Sequence, residues 1–126
     1  KVVTVFYAGD TAYDDKAFKK IGERFDIDLA LIPIGPCRDC EEIANFSHVA
    51  SYGGLLMFDD LKADYMTPVH YGSLTYRRDP DYPLLVLKEL IEKNDHTNSM
   101  AGLNSRYSER IKILDEGEQF VFDYID

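Results

Sequence analysis

Three polar residues stand where this chain is best placed to do chemistry: Asp10, His48 and His70. Asp10 follows the apolar run VVTVFYAG, His48 lies beyond the second run IDLALIPI, and His70 ends a third, DYMTPVH. If these runs are parallel strands, their carboxyl ends share one rim, which is where ligands bind in open α/β sheets. A carboxylate with imidazoles is a ligand set for Zn²⁺ or another divalent ion. Each residue also has a plainer reading. An Asp after Gly is commonly a turn or cap residue, and a loop His is commonly solvated or hydrogen-bonded in place. His96, among Asp95, Thr97 and Asn98, is given no role. Cys37 and Cys40 form a CxxC pair, a spacing used in redox chemistry and in zinc sites. No second CxxC and no HxxxH completes a structural zinc site, so the pair reads as two reduced thiols in a loop of a cytosolic protein.

The elements that must position these residues follow from periodicity. Residues 2–11 are β-branched, aromatic and apolar, and read as a strand buried in a sheet, closed by a turn at Gly9. Phe18, Ile21 and Phe25 recur at helical spacing, with Asp14 and Asp15 at the start and Lys19, Lys20 and Arg24 towards the end, complementing the helix dipole. Residues 27–34 read as a second buried strand, so strand, helix and strand form a β-α-β unit with parallel strands. Gly35-Pro36 breaks it, and residues 36–50 are irregular. A short helix is expected over 51–61, a strand over 64–70, and a helix after Asp79-Pro80-Asp81-Tyr82-Pro83 with Leu84, Leu87, Leu90 and Ile91 as its buried stripe. Residues 94–105 are polar and read as a loop. Residues 109–114 and 119–124 read as two strands of a hairpin around Asp115-Glu116-Gly117-Glu118. The expected class is α/β, one structural unit over 1–126.

Bulk properties narrow the partners. The chain has 126 residues, 45% of them hydrophobic, enough for a single core. Its net charge of −9 argues against nucleic acid, whose affinity rests on Lys and Arg, and suits a site that concentrates cations. No apolar run approaches the length of a membrane span. The chain opens directly on a strand pattern, without a signal peptide, which leads us to expect further residues upstream.

In combination, AGDT after an apolar strand, then DIDLALIPIG, a histidine, and TPVHYGSL resemble the metallo-β-lactamase superfamily over residues 2–74. The branch most resembled is that of N-acyl phosphatidylethanolamine phospholipase D and related metal-dependent hydrolases; ascorbate-6-phosphate lactonase-like proteins are more distant. The resemblance implies that Asp10 bridges two metal ions and that His70 binds the second. It also implies that His48 lies close to substrate. The family's His-Val-x-Pro-Glu-Glu-Ala segment here reads His48-Val49-Ala50-Ser51-Tyr52-Gly53-Gly54, without the proline or the acids, and Cys-Arg-Asp-Cys has no counterpart in it. The HxHxDH motif, which supplies most metal ligands and precedes Gly-Asp-Thr in the family, is absent from the chain. The fold implied is therefore the carboxyl-terminal half of an αββα sandwich, a mixed sheet with parallel β-α-β units and a C-terminal hairpin.

The function implied is part of a hydrolase that cleaves an ester, phosphodiester or lactone with a metal-activated hydroxide. Asp10 and His48 are the catalytic candidates, and Asp10 and His70 the metal ligands. Tyr13 and Tyr71 flank the proposed site as pocket or packing groups. The cofactor is two divalent ions, zinc first and manganese or iron next, held only together with the amino-terminal half. Expected partners are that half, in the same or a separate chain, or a second copy in a homodimer, with a small-molecule or lipid-like substrate. The alternative is a non-catalytic half-domain acting as a binding or interaction module. A flavodoxin-like domain binding a small anion is disfavoured, because no Gly-rich phosphate loop follows the first strand and the next helix opens with acids.

Overall fold

A computed structural model describes residues 2–44, 48–73, 79–102 and 106–121. Three strands, β1 (Val5–Tyr7), β2 (Leu29–Pro33) and β3 (Tyr65–Val69), form a parallel sheet in the order β1-β2-β3. The crossovers carry the helices α1 (Asp15–Arg24) and α2 (Ser51–Leu61); α3 (Tyr82–Met100) and the short α4 (Tyr107–Arg110) follow. Both parallel β-α-β units expected from the sequence are present, and α2 has the expected bounds.

Local chemistry explains the boundaries. Asp14 caps α1 by accepting from the backbone N–H groups of Lys16 and Ala17, both at 2.9 Å, and these bonds hold its carboxyl below the usual range. Gly9 adopts φ 68°, a left-handed turn that ends the first strand segment. Asp81 and Pro83 open α3, where a missing N–H costs nothing. Arg110 reaches the end of the α2–β3 connection: its Nη2 donates to the Ala63 carbonyl at 2.6 Å and its Nε to the Asp64 carbonyl at 3.1 Å. Its guanidinium also lies 4.6 Å from the centre of the Phe58 ring.

The sheet has one face covered by helices and one half-exposed face, on which the Tyr65 ring meets Phe120 with centroids 5.5 Å apart and lies under Lys112. In register, Phe6, Ala30 and Met66 align on one face, and this face meets the helical layer built around Phe18, Met57, Phe58, Leu61 and Leu87. The alternate residues Val5, Leu29 and Tyr65 align on the other face, and none of them is buried. The buried first strand expected from the sequence is therefore corrected. β1 is an outer strand of the described sheet, with Val5 52% and Tyr7 68% exposed. An apolar run reads the same whether its second face is covered or bare.

Three further expectations are revised. Residues 94–100 are helical, not loop: Asn98 donates to the Asn94 side chain one turn back, and Asp95 accepts from the N–H groups of Tyr107 (2.7 Å) and Ser108 (3.1 Å). The polar tail of α3 thus carries α4, where sequence polarity suggested a loop. The C-terminal hairpin is not among the described elements. Tyr107–Arg110 is helical, Ile111 makes an isolated parallel bridge to Met66, and residues 122–126 lie outside the described residues. Cys37 and Cys40 are joined in a disulfide, with Cα atoms 5.3 Å apart across a tight turn, so the reduced-thiol reading is corrected. That bond removes the argument from reduced thiols for a cytosolic location. Among the described residues, no helix is long and apolar enough to cross a membrane.

Candidate active site

All three strands run the same way, so Asp10 and His70 both follow strand ends at the carboxyl rim, but among the described residues only His48 and His70 are brought together, and Asp10 forms no ligand group with them. Asp10 follows β1 in the turn after Gly9 and is exposed. His70 directly follows β3. These are the two outer strands, two interstrand spacings or roughly 10 Å apart. The segment between β2 and α2 spans that gap. Its Val49 N–H donates to the Thr11 carbonyl at 3.1 Å, tying the residue after His48 to the residue after Asp10. An antiparallel bridge between Ala44 and Val49, with the Ala50 N–H donating to Ile43 at 3.0 Å, closes the segment on itself.

His48 and His70 meet. Their rings stack with centroids 5.3 Å apart and planes 29° from parallel. His48 Nδ1 is buried. His70 Nδ1 lies 2.5 Å from the Gly35 carbonyl oxygen. A carbonyl only accepts, so Nδ1 carries the proton, and in the neutral ring the lone pair is on Nε2. This is the arrangement in which a histidine serves as a metal ligand or a base, its other nitrogen oriented by a carbonyl. His70 itself adopts φ 61°, which is uncommon for a residue other than glycine and concentrates at functional sites.

The residues fit a metal in part. His70 presents one correctly prepared nitrogen. Among the described residues, however, no group of three or more His, Cys, Asp or Glu side chains gathers closely enough to hold an ion. A zinc centre takes at least three protein ligands, so the described residues do not form one by themselves.

The tyrosines separate by role. Tyr13 donates from its hydroxyl to Asp60 at the end of α2 and packs against Phe18 at 5.9 Å, which makes it a packing group between α1 and α2. Burial and the Asp60 hydrogen bond raise its pKa well above the ordinary 10.0. Tyr71 follows His70, is half-buried against the main core, and is raised by burial and by Asp81. A cleft of about 620 Å³ lies along Glu89, Glu92 and His96 of α3 and reaches Arg106. It contains none of the three candidates.

The sequence singled out Asp10, His48 and His70 but not the Gly35 carbonyl that engages His70. The signal for it was Gly-Pro at the end of a strand, common enough to pass unnoticed.

The sequence model of the beta-lactamase superfamily domain matches residues 1–71, more than half of the chain. No match is found among curated proteins.

Proposed function

Because the chain belongs to the family of the beta-lactamase superfamily domain, we propose that it is the carboxyl-terminal half of a metal-dependent hydrolase of the phospholipase-like branch, acting on an ester, phosphodiester or lactone. The observation that carries this reading is the stacked His48–His70 pair at the carboxyl rim, with His70 Nδ1 engaged by the Gly35 carbonyl. In this reading His70 would hold one divalent ion through Nε2, and Asp10 would supply a carboxylate ligand. When bound, such ions lower the pKa of a water and polarise the oxygen of the bond to be cleaved. His48, beside His70, donates a hydrogen bond to substrate oxygen or carries a proton at its ring nitrogen. Stacking excludes water from one side of each ring and keeps the two imidazoles in a fixed relation.

The half-exposed sheet face supports the partner expectation. Val5 and Leu29 lie on a half-exposed face that Phe120 and Lys112 cover only beside Tyr65, which suits an amino-terminal half carrying the remaining ligands or a second copy of the chain. The test uses the complete protein. We expect about two divalent ions per site, and Asp10→Asn is expected to abolish hydrolysis and lower metal content. Full activity and full metal content in that variant refute the reading. The lack of a three-ligand cluster among the described residues favours a second reading, a non-catalytic interaction module. In that case the complete protein binds no zinc by calorimetry.

A further inference from the structure

The imidazole pair sits in a frame built from residues outside the metal and catalytic candidates. His70 lies past the end of β3 in the left-handed region, so the sheet does not aim its ring. The Ile34 N–H donates to the Val69 carbonyl at 3.1 Å, the last backbone rung between these chains. One residue further on each side, the Gly35 carbonyl accepts from His70 Nδ1. The side chain continues the ladder where the backbone stops.

Gly35 is held in turn. A Cβ on residue 35 would lie 2.9 Å from Cγ and 3.3 Å from Cβ of Pro83, so the proline ring packs directly against the glycine backbone. Pro83 is buried in the first turn of α3, and its carbonyl accepts from Ser51 Oγ at 2.6 Å. Ser51 is fully buried and opens α2 three residues after His48. His48 stacks on His70, which closes the circuit.

We propose that Ser51, Pro83 and Gly35 are positioning residues for the imidazole pair. Ser51 fixes the start of α3 against the start of α2. Pro83 sets the plane of the Gly35 peptide. The Gly35 carbonyl sets the tautomer of His70 and turns Nε2 towards the rim. The purpose of the frame rests on the hydrolase reading; its existence does not, because tautomer and hydrogen bond are measurable without turnover.

The experiment is long-range proton–nitrogen correlation on the complete protein labelled with nitrogen-15 histidine and stripped of metal with a chelator, near neutral pH. In the unmodified protein, His70 shows a protonated Nδ1 and a lone pair on Nε2. Ser51→Ala and Gly35→Ala each move His70 towards the Nε2-protonated tautomer and speed exchange of the Nδ1 proton roughly tenfold, as loss of about one net hydrogen bond implies. Adding Pro83→Ala to Gly35→Ala removes the Cγ contact, keeps the carbonyl that Ser51 needs, and returns the signal towards the original. If Gly35→Ala does not fold, Ser51→Ala decides alone. An unmodified His70 protonated on Nε2 overturns the proposal. So does a Ser51→Ala protein that loses thermal stability while its His70 nitrogen signals stay unchanged. Unchanged signals in the metal-free form of an enzyme that regains activity when metal is restored remove the frame and leave the hydrolase reading. The expected signals in a protein whose Asp10→Asn variant keeps full activity do the reverse.

Discussion

Gly53→Ala separates local propensity from tertiary packing in one substitution. Gly53 lies in the first turn of α2, where alanine is the better helix former by up to about 1 kcal/mol. Propensity alone therefore expects a small gain. The structure expects the opposite. A Cβ at residue 53 would lie 1.8 Å from the Ile43 carbonyl oxygen and 2.8 Å from its carbon, both backbone atoms. That oxygen also accepts from the Ala50 N–H, part of the closed segment that carries His48. Relief requires moving α2 or residues 43–50 by more than an ångström. Overpacking of this kind costs about 1–3 kcal/mol, and sometimes more when only backbone is available to yield. The net expectation is a loss of about 2 kcal/mol, or a fall in Tm of roughly 6–10 °C for a domain of this size. Denaturant and thermal unfolding by circular dichroism measure the stability. The His48 and His70 ring resonances, followed by NMR, report whether the stack shifts with it. A variant as stable as the parent, with both sets of resonances unmoved, refutes the packing argument and with it the link between α2 and the site.

Tyr13 and Tyr107 have pKa values raised by burial and by donating to Asp60 and Asp59, so the folded state holds their protons more tightly than the unfolded chain does at 10.0. Their contribution is fully present below pH 10.0 and is lost as pH climbs through the raised folded values. Alkaline unfolding followed by tyrosinate absorbance should be shallower in a Tyr13→Phe, Tyr107→Phe double variant, and an unchanged profile contradicts this. Arg110→Ala removes two hydrogen bonds to backbone carbonyls and the contact over Phe58, and is expected to cost about 1–3 kcal/mol in urea unfolding. A loss below the scatter of the measurement shows that water replaces those contacts. Thiol titration of the denatured protein should find no free cysteine before reduction and both Cys37 and Cys40 after it.

Local pattern was enough to read α1, α2 and the three strands from the sequence, since each combines a propensity with a break such as Asp14, Gly9 or Gly35-Pro36. It also placed Asp10 and His70 after strand runs, where the structure has them, while the meeting of His48 with His70 came from the structure. Periodicity is a property of a few neighbouring residues and survives any packing. Other features depend on what comes to lie opposite. Whether the first strand is covered on both faces and whether the polar tail of α3 has α4 to carry are decided by contacts distant in sequence. The same holds for the circuit through Gly35, Pro83 and Ser51. A glycine's missing Cβ and a serine's single hydroxyl acquire their meaning only from the atoms that tertiary structure brings against them.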